Sequence, residues 1–201
     1  MAVTSKQERD AAPPGYQLIS VRTTYLEMLR NRVPDAPATP EGWTVRRWVN
    51  APLDEYRGLF AQVGGDWGWT GRLLLGDQEL RELLDDKWIE VYRLKRGSEV
   101  AGFIELDRRT SGQVEIVYFG LKGEYMRQGL GGFLLRWAIH KAWQPVQIPG
   151  WEAETAERLW LHTCDQDHPR ALAMYQKAGF QIYHEETGLE LYPSSFEQAK
   201  D

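Results

Sequence analysis

Apolar residues recur in two periods along the chain, and the switches between those periods mark out its elements. Leu18, Val21, Tyr25 and Leu29, mixed with Thr23 and Thr24, read as an extended segment over 16–29, with a helix over 24–31 as the alternative. Residues 33–42 (VPDAPATPEG) hold three prolines and read as a linker. Thr44 to Val49 is strand-like. Leu53, Tyr56, Phe60 and Val63 keep helical spacing, with Asp54 in the first turn and Gly64-Gly65 as the stop. Asp77 can cap a short helix carrying Leu80, Leu83 and Leu84. Trp88 to Lys95 and Val100 to Asp107 are strands joined through Arg96-Gly97-Ser98-Glu99, and Gln113 to Leu121 is the next strand. Leu130, Phe133, Leu134, Trp137, Ala138 and Ala142 then trace one face of a long helix. Arg158 to Thr163 is a further strand. Pro169 opens a helix that Lys177 and Gly179 close, and Phe180 to His184 is a strand that can pair with Leu189 to Tyr192.

The order β–α–α–β–β–β–α–β–α–β, with hairpins in the middle and helices later, predicts a mixed α/β sheet rather than a doubly wound parallel one. Residues 1–14 are polar, end in Pro13-Pro14 and read as a loose terminus.

Composition narrows the functional classes. At 201 residues and 42% apolar the chain can bury the core of one domain. Lys plus Arg is 24 against 29 Asp plus Glu, a net charge of −5, so a nucleic-acid surface is not expected. No apolar run approaches the roughly 18–20 residues of a membrane span, and the first fifteen residues lack a secretory apolar stretch. A cytoplasmic protein is the expectation. One cysteine, Cys164, excludes an internal disulfide and any multi-cysteine metal site. Nine tryptophans either thicken the core or build an acceptor or partner surface, and they are compatible with a homodimer.

The chemistry concentrates between the strand at 113–121 and the helix that follows it. Lys122 to Gly132 (KGEYMRQGLGG) brings three glycines to a helix N-terminus, where first-turn N–H groups have no internal partner and the helix dipole favours anions, phosphate above all. Arg127 adds a cation. A dinucleotide fingerprint starting at Gly129 would need its third glycine at Leu134. A Walker-type loop starting at Gly123 would need glycine and lysine where Gln128 and Gly129 stand. Both known patterns fail.

Glu115-Ile116-Val117-Tyr118-Phe119-Gly120-Leu121, followed by that turn and a helix, resembles the central motif of the GNAT superfamily of acetyl-CoA-dependent N-acetyltransferases. Gly129 and Gly131 fall on the two small positions of the family's Gln/Arg-x-x-Gly-x-Gly/Ala loop. His168 to Phe180 (HPRALAMYQKAGF) is similar to its Asn-x-x-Ala-x-x-x-Tyr-x-x-x-Gly-Phe segment. The resemblance covers residues 43–192. It implies a mostly antiparallel mixed sheet flanked by helices, with an acetyltransferase domain over 43–201. Residues 1–42 would be an N-terminal extension and linker outside the core. It also implies acetyl-CoA as co-substrate without a metal. Phe119, Gly120 and Leu121 at the strand end, the turn residues Met126, Arg127, Gln128, Gly129, Leu130, Gly131 and Gly132, and His168 would hold it. Met126 stands where the family has Gln or Arg, with Arg127 one place later, and His168 replaces Asn.

Acetyl transfer to an amine must remove a proton from an ammonium of pKa about 10.4 and supply one to a departing thiolate. The resemblance implies Tyr175 as the acid and the Leu121 N–H as the contact to the carbonyl oxygen. Glu115 is the candidate base, both by resemblance and because strict alternation would set it on the face of Val117, Phe119 and Leu121, an apolar surrounding that raises a carboxylate's pKa. Asp66-Trp67-Gly68-Trp69 falls between the first two helices, where Trp67 and Trp69 could wall an aromatic acceptor site and Asp66 meet a cationic amine. The alternative for the tryptophans is a loop pinned to the core. His162-Thr163-Cys164-Asp165-Gln166-Asp167-His168 suggests a metal site or a nucleophilic cysteine, but turn and cap roles suit a strand-to-helix crossing better. The acceptor is a small-molecule or peptide amine. The rival class is a non-catalytic acyl-CoA-binding sensor or interaction module of the same fold.

Overall fold

A computed structural model describes residues 12–30, 35–146 and 155–197; the expectation of a loose terminus therefore lies, for residues 1–11, outside the described residues. The strands are β1 (Tyr16–Leu29), β2 (Thr44–Arg47), β3 (Ile89–Arg96), β4 (Glu99–Asp107), β5 (Gln113–Leu121), β6 (Arg158–Cys164) and β7 (Gln181–Pro193). The helices are α1 (Leu53–Gly64), α2 (Asp77–Asp85), α3 (Leu130–Ala142) and α4 (Ala171–Lys177). One seven-stranded sheet runs β2-β3-β4-β5-β6-β1-β7. Every pairing is antiparallel except β5 with β6. The mixed, mostly antiparallel sheet flanked by helices is the one expected.

Each sheet face has its own core. On one, Leu130, Phe133, Leu134 and Ala138 of α3 and Tyr175 of α4 pack on Val114, Ile116, Leu159 and Leu161. On the other, Tyr56, Leu59 and Phe60 of α1 and Leu80 of α2 pack on Val91 and Phe103. The apolar periods of α1 and α3 are the stripes that meet these faces.

Three expectations change. Residues 16–29 form the extended segment expected, but that strand lies inside the sheet between β6 and β7 rather than outside the core. Its fully buried Val21 and Leu26 are what hold it there. Leu189 to Tyr192 does not fold back on Phe180 to His184. Both belong to the single strand β7, which pairs along its length with β1, Tyr16 opposite Pro193 and Glu27 opposite Gln181. Finally, α4 starts at Ala171, two residues after Pro169. His168 sets that start, its Nδ1 accepting the Arg170 N–H at 3.1 Å and its carbonyl the Ala171 N–H at 2.8 Å.

Candidate active site

The site is a split in the sheet. Strands β5 and β6 pair only from Gln113–Arg158 to Ile116–Leu161. Beyond that point β5 continues against β4 as far as Leu121, while β6 continues against β1 as far as Cys164. The strands part, and a cavity of about 1030 Å³ opens between them. That is the size of a site for a large ligand. Val117 to Leu121 wall one side, His162 and Cys164 the other, and Ala171, Met174 and Tyr175 of α4 line it too. Trp67 to Gly71 and Leu189 to Tyr192 line the remainder.

Backbone geometry points the right groups into the split. The Lys122 N–H bonds to the Ala101 carbonyl at 2.8 Å, in register with Gly102 opposite Leu121 and Phe103 opposite Gly120. Hydrogen-bonded pairs alternate with non-bonded ones in an antiparallel ladder. Gly120 therefore turns its N–H and C=O toward β4, and Phe119 and Leu121 turn theirs into the split. The Leu121 N–H, the candidate contact for a carbonyl oxygen, faces the cavity.

The glycine turn closes one end. Arg127 (φ 61°) and Gly129 (φ 79°) both adopt left-handed backbone, a conformation L-residues enter at a cost of about 1–2 kcal/mol. The first intrahelical bond of α3 runs from the Phe133 N–H to the Gly129 carbonyl, so the N–H groups of Leu130, Gly131 and Gly132 precede the hydrogen-bonded helix. A Cβ at Gly129 would meet nothing within 4 Å, and one at Gly131 would only touch Leu121 at 3.7 Å. Glycine at both positions thus leaves open approach to the backbone rather than relieving a packing clash. Met126, Arg127, Gly129, Gly131 and Gly132 line the cavity with Phe119, Gly120, Leu121 and His168. Leu130 instead is buried in the core, and Gln128 is turned out, its amide donating to the Glu124 carbonyl at 2.8 Å.

Tyr175 is buried against Phe119 and Phe180, with ring centroids 6.3 and 6.2 Å away, and lines the cavity. Burial, with the Asp167 carboxylate adding to it, raises the phenol's pKa, so the group stays protonated.

Glu115 departs from its expected position. Pairing slips between Glu105–Tyr118 and Leu106–Ile116, leaving Val117 as an extra residue, a β-bulge that breaks the alternation. Val114 and Ile116 face the α3 side together with Leu121. Glu115 therefore lies on the opposite, α1 side with Tyr118, not with Phe119 and Leu121. It lines a small neighbouring pocket of about 370 Å³ with Asp107, Arg109 and Trp160. Its Oε1 lies 3.6 Å from Nδ1 of His162, which does line the main cavity.

Of the acceptor-side candidates, Trp67 and Trp69 line the cavity and Asp66 is exposed outside it. Trp69 is pinned to the body of the protein while it lines the cavity: its indole N–H donates to Asp167 at 3.1 Å, and its ring packs on Phe60 and Tyr118 at 5.6 and 5.2 Å. Trp67 stands edge-on to His168 at 5.1 Å. Trp43 and Trp143, by contrast, are core residues.

Sequence reasoning missed what fastens this loop. Glu105, fully buried on β4, accepts from the Tyr56 hydroxyl at 2.7 Å and pairs with Arg72, whose guanidinium lies 5.0 Å from the Tyr118 ring. A Cβ at Gly71 would fall 2.2 Å from the Tyr118 hydroxyl, and one at Gly68 (φ 69°) 2.3 Å from the Tyr192 ring, so glycine there permits the loop's close approach to the sheet. An acidic residue amid the apolar run GFIEL was the available signal.

The 162–168 segment is the end of β6 and the turn that follows it. Asp167 accepts from the Thr163 hydroxyl at 2.7 Å and the Cys164 N–H at 3.0 Å, and no group of residues able to hold a metal occurs among the described residues. Burial raises the Cys164 thiol to about 11, its sulfur 3.4 Å from the Tyr192 hydroxyl, so it is a thiol at neutral pH and a poor nucleophile. No helix among the described residues is long and apolar enough to cross a membrane.

Comparison with solved structures finds the same fold. A conserved protein of unknown function from Staphylococcus epidermidis matches with a TM-score of 0.62 at 13% identity, over 89% of this chain and 63% of that one. GCN5-related N-acetyltransferases from Sphaerobacter thermophilus and Kribbella flavida match with TM-scores of 0.56 and 0.53, each at 18% identity. They cover 89% and 90% of this chain and 53% and 61% of theirs. The chain thus spans less than two thirds of the length of these three. No curated protein matches it. The family model for the acetyltransferase (GNAT) family matches residues 67–180, more than half of the 201, and takes in the β5 split, the glycine turn and Tyr175. The chain belongs to the GNAT acetyltransferase family.

Proposed function

We propose that the protein transfers an acetyl group from acetyl-CoA to a primary amine by direct transfer in a ternary complex. The observation that carries this reading is the β5–β6 split, with the Phe119 and Leu121 backbone turned into it, the glycine turn at one end and Tyr175 on its wall. The residues fit the co-substrate. The left-handed turn at Arg127 and Gly129 and the free N–H groups at the start of α3 suit a pyrophosphate. The exposed strand edge of β5 suits an amide-bearing pantetheine arm. Acetyl-CoA supplies a thioester whose carbonyl carbon accepts the amine.

This chain's groups then divide the work. The Leu121 N–H hydrogen-bonds the carbonyl oxygen as it gains charge. Tyr175, held protonated by burial, offers its proton to the sulfur as the C–S bond breaks. Trp67, Trp69 and Tyr118 wall the acceptor side with aromatic surface. Removing the ammonium proton costs roughly 4–5 kcal/mol at pH 7 for a group of pKa near 10.4, which calls for a base on that side.

Tyr175→Phe tests the reading. An enzyme should lose on the order of 10²–10⁴-fold in turnover, followed as acetyl-CoA-dependent thiol release with arylalkylamines, while retaining acetyl-CoA affinity. Acetyl-CoA binding by a wild type that acetylates no amine in such a panel would favour the binding-module reading instead.

A further inference from the structure

Among the described groups lining the cavity, few are free to take a proton from an amine. Asp167 already accepts three hydrogen bonds, from Trp69, Thr163 and Cys164. Glu190 sits on the outermost strand β7, held by the Thr23 hydroxyl at 3.4 Å. The Nδ1 of His168 is engaged at the start of α4. Glu115 lines the neighbouring pocket and not the cavity itself. His162 remains. It lies one residue past the last β5–β6 pair, where the strands part, and is partly open to the cavity.

Given acetyl transfer at this site, we infer that His162 is the base that takes the amine proton, and that Glu115 is a positioning residue behind it. The carboxylate 3.6 Å from Nδ1 favours the proton on that nitrogen, which leaves the Nε2 lone pair to accept from an amine in the cavity that His162 lines. The ring is steadied by Tyr25 of β1, 5.7 Å between centroids. The ammonium gives one proton to Nε2, which passes it to solvent. The nitrogen lone pair forms the N–C bond, and the C–S bond breaks with its electron pair on sulfur. The remaining surplus N–H proton replaces the one that Tyr175 gives to the thiolate. The sum is amide, free thiol and one proton released.

The charged and titratable groups around the ring are Glu115 on β5, Glu190 on β7, Asp167 in the following turn, Tyr25 on β1 and Cys164 on its own strand. Glu115 beside it raises the His162 pKa above its ordinary 6.5 against the lowering by burial, with Glu190 and Asp167 acting in the same sense as Glu115. The neutral, proton-accepting ring therefore appears only above that raised value, which should set the acid limb of kcat/KM.

The test pairs two measurements on the full chain. Thiol release from acetyl-CoA with 2-phenylethylamine as the acceptor is followed against pH for wild type, His162→Gln and Glu115→Gln, and the His162 ring is titrated by NMR in wild type and Glu115→Gln. The expected results are a 10²-fold or greater loss with disappearance of the acid limb in His162→Gln. Glu115→Gln should shift that limb, and the His162 titration, to lower pH. Full turnover with an unchanged limb in His162→Gln overturns the inference and leaves acetyl transfer standing. A His162 titration at or below 6.5 that ignores Glu115→Gln also overturns it, and decides alone if this amine proves too poor an acceptor. Failure of wild type to bind acetyl-CoA overturns the acetyl-transfer reading, and this inference with it.

Discussion

Glu105→Leu is the perturbation whose cost follows most directly from the packing. Glu105 has no exposed surface, and its partner Arg72 is 12% exposed. Leucine keeps most of the bulk, so little of the effect comes from a void. What it removes is the acceptor for the Tyr56 hydroxyl and the counter-charge for a guanidinium held between the loop and the Tyr118 ring. Breaking a buried pair by deleting one member costs about 3–5 kcal/mol, because the other charge stays buried without a partner. With a urea m-value of about 2 kcal/mol/M, the unfolding midpoint should fall by roughly 2 M. Removing all three polar partners together (Glu105→Leu, Arg72→Met and Tyr56→Phe) should return most of that loss, since apolar replacement of a buried ion pair is often neutral. Urea unfolding followed by tryptophan fluorescence reads both. A single-variant cost below about 1 kcal/mol would refute the reasoning, since it would mean that the pair is solvated and does not fasten the 65–76 loop to the sheet.

Two further outcomes follow from the site. Gly129→Ala puts a Cβ on left-handed backbone at φ 79° without meeting a neighbour, so stability should fall by about 1–2 kcal/mol in urea unfolding, and acetyl-CoA should bind more weakly by calorimetry. Because the folded pKa of His162 is raised, its pairing with Glu115 contributes stability fully below pH 6.5 and loses it as pH rises through the folded value. The unfolding midpoint of wild type should therefore exceed that of Glu115→Gln by more at pH 5.5 than at pH 9, and an equal difference at both would contradict the pairing.

Much of this fold was legible from period alone. The stripe from Leu130 to Ala142 was long and regular, and the observed helix covers it. The alternations at 88–95, 100–107 and 113–121 lay within a residue or so of β3, β4 and β5. What stayed hidden were features set by partners distant in sequence. The strand β1 mixes threonines with apolar residues, and only its pairing with β6 and β7, more than a hundred residues on, places it inside the sheet. Nothing local in EIVYFGL announces a bulge at Val117. Yet that one extra residue moves Glu115 to the opposite face and toward His162. The glycine turn was readable because backbone approach and helix polarity are local properties. The Glu105–Arg72–Tyr56 cluster, joining α1, the loop and β4, was not.

The most direct test of the account is calorimetric titration of the purified chain with acetyl-CoA. If the β5–β6 split and the glycine turn form the co-substrate site, binding is one-to-one and is weakened by Gly129→Ala. Absence of binding at millimolar acetyl-CoA would contradict it, and would mean that a turn with Met126 and Arg127 in these places does not hold the pyrophosphate.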